Sequence, residues 1–98
     1  MSYQLNFRPE IPVDLALATR WYDDQRIGLG DEFLAEYRLA LDCLLDQPLL
    51  RAEDQRGMRF SLLKRFPYRV CYLLRGSEIV IAAVFHVRRS PSILRKRG

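Results

Sequence analysis

The chain has one histidine, His86, in the half of the sequence where cationic residues accumulate: Arg59, Lys64, Arg65, Arg69, Arg88 and Arg89. An imidazole can move a proton near neutral pH, and guanidinium groups can stabilise charge on a phosphate oxygen. The same cations could hold the carboxylates of an acidic protein segment. Simple solubility also places charges on the solvent-facing side of strands, and a lone histidine is often only a hydrogen-bonded structural residue. No other catalytic set competes. Gly28-Leu29-Gly30 lacks the preceding strand and the following Lys-Ser/Thr of a phosphate loop. There is no nucleophile elbow and no Ser/His/Asp set. Cys43 and Cys71 belong to no CxxC or Cys/His cluster, so they read as reduced, partly buried thiols. Neither a metal nor a cofactor is expected.

The charge is unevenly spread. Residues 1–50 carry 4 Arg against 9 acids, and residues 51–98 carry 12 Lys and Arg against 3 acids, so a half at −5 precedes a half at +9. Such asymmetry suggests that part of the fold meets an acidic surface, either nucleic acid or protein. At 98 residues the chain is one domain, 1–98, whose end, 90–98, is a basic tail. A domain this short has a thin core, which a partner could help to cover. No apolar run approaches the roughly 20 residues that cross a bilayer. The start, Met1 to Arg8, lacks a signal peptide's apolar centre. A cytoplasmic protein without membrane contact is the expectation.

These side chains need elements to position them. Tyr3 to Arg8 alternates polar and apolar residues like a strand. From about Glu10 to Arg26, Ile11, Leu15, Ala18 and Tyr22 recur on one helical face. Gly28-Leu29-Gly30 interrupts the helix, and Asp31 is the expected N-cap of a second one from about Glu32 to Asp46, with Leu34, Tyr37, Leu41, Leu44 and Leu45 as its apolar stripe. Residues 49–57 read as a loop. Three strands follow, around Met58–Leu62, Tyr68–Arg75 and Ile79–Phe85, the last apolar on both faces as a central strand should be. Gly76-Ser77 suits a two-residue hairpin of type II′. The order β-α-α-β-β-β predicts a two-layer α+β domain, a helical hairpin packed on one face of a mainly antiparallel four-stranded sheet. The first strand is expected beside the last.

Strand parity turns this order into a surface. With Met58, Phe60, Leu62, Tyr68, Val70 and Tyr72 toward the helices, Arg59, Ser61, Arg69, Cys71 and Arg75 share the uncovered face. On the last strand, Ile79, Ile81, Ala83 and Phe85 would point inward, and Val80, Ala82, Val84, His86 and Arg88 outward. Arg59, Arg69, His86 and Arg88 would then gather on the open side, with Lys64 and Arg65 at its rim. The aromatics Trp21, Tyr22, Phe33, Tyr37, Tyr68 and Tyr72 lie mostly on core faces, which makes base stacking an unexpected role for them.

The layout and several local motifs resemble the RelE/ParE superfamily of type II toxins over almost the whole chain. They include Phe7-Arg8-Pro9-Glu10 leading into the first helix, Asp14-Leu15 and Ala18 within it, and Gly28-Leu29-Gly30 with Phe33 at the interhelical turn. More specific are Phe66-Pro67-Tyr68-Arg69-Val70 with Tyr72, and Ile81-Ala82-Ala83-Val84-Phe85-His86 followed by Arg88-Arg89 and Pro91. The resemblance implies a growth-inhibiting toxin made with a cognate antitoxin, whose largely disordered segment wraps it, in some cases within a higher-order complex. The RelE-like branch cleaves mRNA on the ribosome, and there Arg69 with Lys64 and Arg65 would be catalytic, assisted by His86 and Arg59. The ParE-like branch inhibits DNA gyrase, is not an enzyme, and would use Arg59, Arg69, His86, Arg88 and Arg89 as a binding surface. Where the RelE-like branch often carries a terminal aromatic, this chain reads Ser92-Ile93-Leu94. That absence, and the His86-x-Arg88-Arg89 ending, favour the ParE-like branch. From charge alone, a non-toxic module that binds nucleic acid is the third reading.

Overall fold

A computed structural model describes residues 2–88. The elements run β1 (Gln4–Phe7), α1 (Ile11–Gln25), α2 (Leu29–Asp46), β2 (Arg59–Leu62), β3 (Tyr68–Arg75) and β4 (Glu78–His86). The sheet order is β1-β4-β3-β2, and the two helices cover one face. The β2–β3 and β3–β4 pairs are antiparallel, whereas β1 lies parallel to β4, so the sheet is mixed. As expected, the first strand sits beside the last. Gly76 at φ +60° and Ser77 close the β3–β4 hairpin, with Arg75 opposite Glu78. Ser77 does not share the positive φ, as a type II′ turn requires.

Helix α1 buries Ile11, Ala18 and Tyr22, and Pro12 occupies its first turn, where a missing N–H costs nothing. Helix α2 starts before the expected Glu32, at Leu29, and Asp31 lies inside its first turn rather than capping it. The cap comes from the preceding helix: Asp23 Oδ1 accepts the Gly30 N–H at 2.8 Å. Gly30 permits that approach because it lacks a side chain. A Cβ there would lie 2.6 Å from Thr19 Cγ2 and 2.7 Å from the Thr19 carbonyl oxygen. Gly28, at φ +92°, turns the chain between the helices. The buried stripe of α2 includes Phe33, absent from the sequence-derived one, beside Tyr37, Leu41 and Leu44. Phe33 meets Tyr22, Phe66 and Tyr68 at ring-centroid distances of 5.0–5.5 Å. Trp21, expected in the core, is instead exposed.

Two registers differ from the expected parity. On β4, Cys71 opposes Ala83 while Tyr72 opposes Ile81, so Ala82 is an extra residue in a β-bulge. Beyond it the alternation inverts. Val84 enters the helix-side core, whereas Ala83 and Phe85, expected inward, join a second apolar cluster on the opposite face. On β2, Arg59 lies opposite Tyr72 and Ser61 opposite Val70, which puts Arg59 and Ser61 on the helix side. Met58 and Phe60 pack with Cys71 and Phe85 on the other face, and Leu62 shares that face beside Arg69. The buried Leu63 and Phe66 explain the slip: they supply the helix-side apolar groups that Met58, Phe60 and Leu62 were expected to provide. Strand β3 keeps the expected parity, with Val70 and Tyr72 buried under the helices.

Two side chains fasten these layers. The Tyr72 hydroxyl donates to the Pro48 carbonyl at 2.8 Å, tying the loop after α2 to the sheet. Asp14 Oδ2 accepts the Val84 N–H at 3.1 Å, where β4 has outrun the shorter β1. Tyr72→Phe is expected to lower stability by about 1–3 kcal/mol by leaving that carbonyl without its donor, read as a shift in urea midpoint at unchanged slope. Gly30→Ala should cost a similar amount, about 1–3 kcal/mol, because its methyl would press on the Thr19 carbonyl as well as on the Thr19 and Asp23 side chains. An unchanged midpoint for Gly30→Ala would show that the helices separate there without penalty.

Candidate functional site

The face left bare by the helices is apolar at its centre and cationic at its margins. Cys71, Ala82 and Ala83 are fully buried there, with Met58 and Phe85 nearly so. The loop before β2 folds around Asp54, whose Oδ1 accepts main-chain N–H groups from Arg56 at 2.8 Å and Met58 at 3.0 Å. Arg56 also pairs with Asp54 at 2.8 Å. Burial pushes the Cys71 thiol up to about 12; Asp54 adds to the shift, and Arg56 and Arg8 oppose it. Cys71 therefore stays protonated through the physiological range.

The sequence-derived cations do not form one cluster. Arg69 is exposed on the bare face, with Leu62 and Phe85 as its neighbours on adjacent strands. Arg59 is not on that face. Its side chain is 13% exposed, donates to the Arg51 carbonyl and lies 3.7 Å from Glu53. It holds the 51–59 loop rather than facing a ligand. His86 follows the inverted register past the bulge, and its ring meets the edge of Tyr68 at 5.4 Å, on the strand face that carries Val70. His86 Nδ1 accepts the Arg88 N–H at 3.1 Å, which leaves the exposed Arg88 in the turn after β4. Arg89 lies outside the described residues.

Lys64 and Arg65 lie near α2. Arg65 donates to Glu32 Oε1 at 2.8 Å, its main-chain N–H reaches Glu36 Oε2 at 2.8 Å, and its guanidinium sits 5.3 Å from the Phe66 ring centre. Hydrogen bonds from Arg65 and then Arg26 hold the Glu32 carboxyl below its usual range, and the bond to Glu32 raises Arg65. Lys64 is exposed on the wall of a groove between α2 and β2. Arg8 was not among the sequence-derived cations. With Asn6, Arg75 and Glu78 it lines a cleft of about 510 Å³ at the β1–β4 side of the sheet, and its Nε is buried without a partner. The signal was available: carrying the β1 alternation past Phe7 puts Arg8 on the Asn6 side. Among the described residues, no group of three His, Cys, Asp or Glu could hold a metal ion, and no helix is long and apolar enough to cross a membrane.

No protein-family model and no curated protein matches this sequence. Solved structures do. A chain of the chromosomal ParDE TA (toxin–antitoxin) system from P. aeruginosa superposes with a TM-score of 0.76, over 86% of this chain and 95% of that one. The fold is that of a ParDE-system chain. The shared arrangement, two helices on one face of a four-stranded sheet, agrees with the two-layer α+β fold expected from the sequence. At 17% identity the likeness carries the arrangement of elements, not the role of any residue.

The two thiols provide a check on this face. Cys43 is exposed and Cys71 buried, where two partly buried thiols were expected. Iodoacetamide at mildly alkaline pH should alkylate Cys43 in the folded chain and Cys71 only after denaturation. Equal rates at the two, followed by mass spectrometry, would show that the apolar centre of the bare face opens freely.

Proposed function

We propose that this chain is the toxin of a type II toxin–antitoxin pair, that it arrests growth by disabling DNA gyrase rather than by cutting mRNA, and that a cognate antitoxin neutralises it. The likeness to a ParDE-system chain supports the toxin reading. The target reading rests on one observation, the dispersal of the three basic side chains that a ribonuclease would need together. Phosphodiester cleavage requires charge stabilisation and proton transfer to converge on a single phosphate. Here Arg65 is committed to Glu32 and Glu36 beside α2, Lys64 stands at the α2–β2 groove, and Arg69 points from the opposite face of the sheet. His86 ends β4 opposite Tyr68, and its ring packs against that tyrosine on the face away from Arg69. Such a distribution suits a protein that grips another macromolecule over a broad area better than one that performs chemistry at a point.

In this reading the exposed Arg69 and Arg88 are contact residues, with Arg89 continuing the same run of sequence. Arg59 and His86 act through the loop and turn that they hold. The protein works in the cytoplasm, and its antitoxin supplies the acids and apolar groups that its basic surface lacks.

Expressed alone, the chain should arrest growth, and co-expression of the adjacent reading frame should relieve it. The purified protein should inhibit gyrase supercoiling while mRNA in a translation extract stays intact, and Arg69→Glu should weaken that inhibition several-fold. Cleaved mRNA, abolished by Arg69→Ala, would instead establish the ribonuclease. Tight binding to naked nucleic acid without growth arrest would remove the toxin reading altogether.

A further inference from the structure

Strand β2 ends the sheet, and its outer edge is bare. The Leu63 N–H donates to the Tyr68 carbonyl at 2.9 Å, which fixes the alternation of the β2–β3 ladder. Ser61 and Arg59 then turn their peptide groups toward β3, while Phe60 and Leu62 turn theirs outward. The far side of the sheet agrees: Val84, paired with Val70, directs its N–H away from β3 and onto Asp14. Among the described residues nothing pairs with the outward peptide groups of Phe60 and Leu62. Such an edge carries the main-chain donors and acceptors that an added strand needs.

Side chains around the edge say what kind of strand would fit. Between β2 and α2 runs a groove of about 410 Å³ whose apolar lining includes Leu39, Cys43 and Leu63. Leu39 is 64% exposed and Leu62 59% exposed, large apolar groups left to water at the two lips. Lys64 belongs to the lining, and Arg69 stands beside Leu62 on the opposite face of the sheet. Neither forms an ion pair among the described residues. The acids of the groove, Glu36 and Asp42, stand on its helix wall, and Glu36 already accepts the Arg65 N–H. A strand alternates its side chains between the two faces of a sheet. One laid on β2 would place alternate residues in the apolar groove and the others on the face of Arg69.

We propose that the β2 edge receives an extended partner segment as a fifth strand, with apolar residues entering the α2–β2 groove, alternate acidic residues meeting Arg69 on the other face of the sheet, and one acid within the groove meeting Lys64. This rests on the reading of the chain as one half of a protein pair. A second copy of the chain is a poorer occupant, because edge-to-edge pairing would bring two sets of Lys64 and Arg69 together without their counter-charges.

The test is amide hydrogen exchange on the full chain, followed residue by residue, with a short alternating valine–glutamate peptide as probe. Saturating peptide should slow exchange at Phe60 and Leu62 and leave β1 unchanged. A valine–lysine peptide should have no effect. Arg69→Glu should weaken binding several-fold, and the loss should shrink as salt is added. Leu39→Asp, at an exposed site where folding is not at risk, should weaken it independently. Peptide binding that leaves Phe60 and Leu62 unprotected, no binding at all, or protection of these amides by self-association would each overturn the proposal. Repeating the exchange with the product of the adjacent reading frame separates the two readings. Growth rescue with Phe60 and Leu62 still unprotected removes this docking edge and leaves the toxin reading standing, whereas failed rescue removes the toxin reading itself.

Discussion

Strand β4 is the constraint on which the other placements depend. It pairs with β1 on one side and β3 on the other, and Ile79 to Phe85 are buried without interruption. A one-residue shift would send every side chain of β4 to the opposite face, so groups fitted to one apolar cluster would meet the other. Its one irregularity therefore has large consequences. The bulge at Ala82 leaves Ile79 and Ile81 under the helices, brings Val84 to the same side and sends Ala83 and Phe85 to the other. The described residues consequently form two apolar clusters, a large one beneath the helical hairpin and a smaller one around Cys71.

The helices meet the sheet through polar contacts placed where its ladder is incomplete. Asp14 supplies the Val84 N–H with an acceptor beyond the end of β1, and Asp23 supplies the start of α2 with a cap that its own sequence lacks. Buried main-chain donors must find acceptors, and in both cases a carboxylate from α1 provides one. Part of the negative charge of the first half is thus structural. The positive charge of the second half is treated differently: Arg59, Arg65 and Arg56 are occupied within the fold, while Lys64, Arg69 and Arg88 remain at its surface. A net-charge argument cannot separate these groups, because the difference lies in which acid each arginine reaches.

The proposed site was legible only in part for the same reason. Strand β3 could be read correctly because Tyr68, Val70, Tyr72 and Leu74 alternate without ambiguity, and Arg69 follows from them. Strand β2 could not, since the Leu62-Leu63 doublet supports either parity and only the pairing with β3 decides between them. His86 was lost to a bulge, which leaves no mark in a run as uniformly apolar as Ile79-Val80-Ile81-Ala82-Ala83-Val84-Phe85. Arg8 lies one residue beyond a strand whose alternation already pointed to it. Asp31 was a good local cap candidate displaced by a better one, Asp23, which is distant in the chain but close in space.

From the residues alone came the number and order of the elements, the helical hairpin, the II′ turn at Gly76-Ser77, the neighbourhood of β1 and the resemblance to the toxin fold. These depend on local periodicity, on turn chemistry and on which strands must be buried twice, all of which are written in the order of the side chains. Tertiary structure decided the parallel sense of β1, the faces of Arg59 and His86, the second cluster around Cys71 and the bare edge of β2. Each of these depends on register, and register is set by which strand lies alongside, a relation between segments distant in the chain that no local pattern contains.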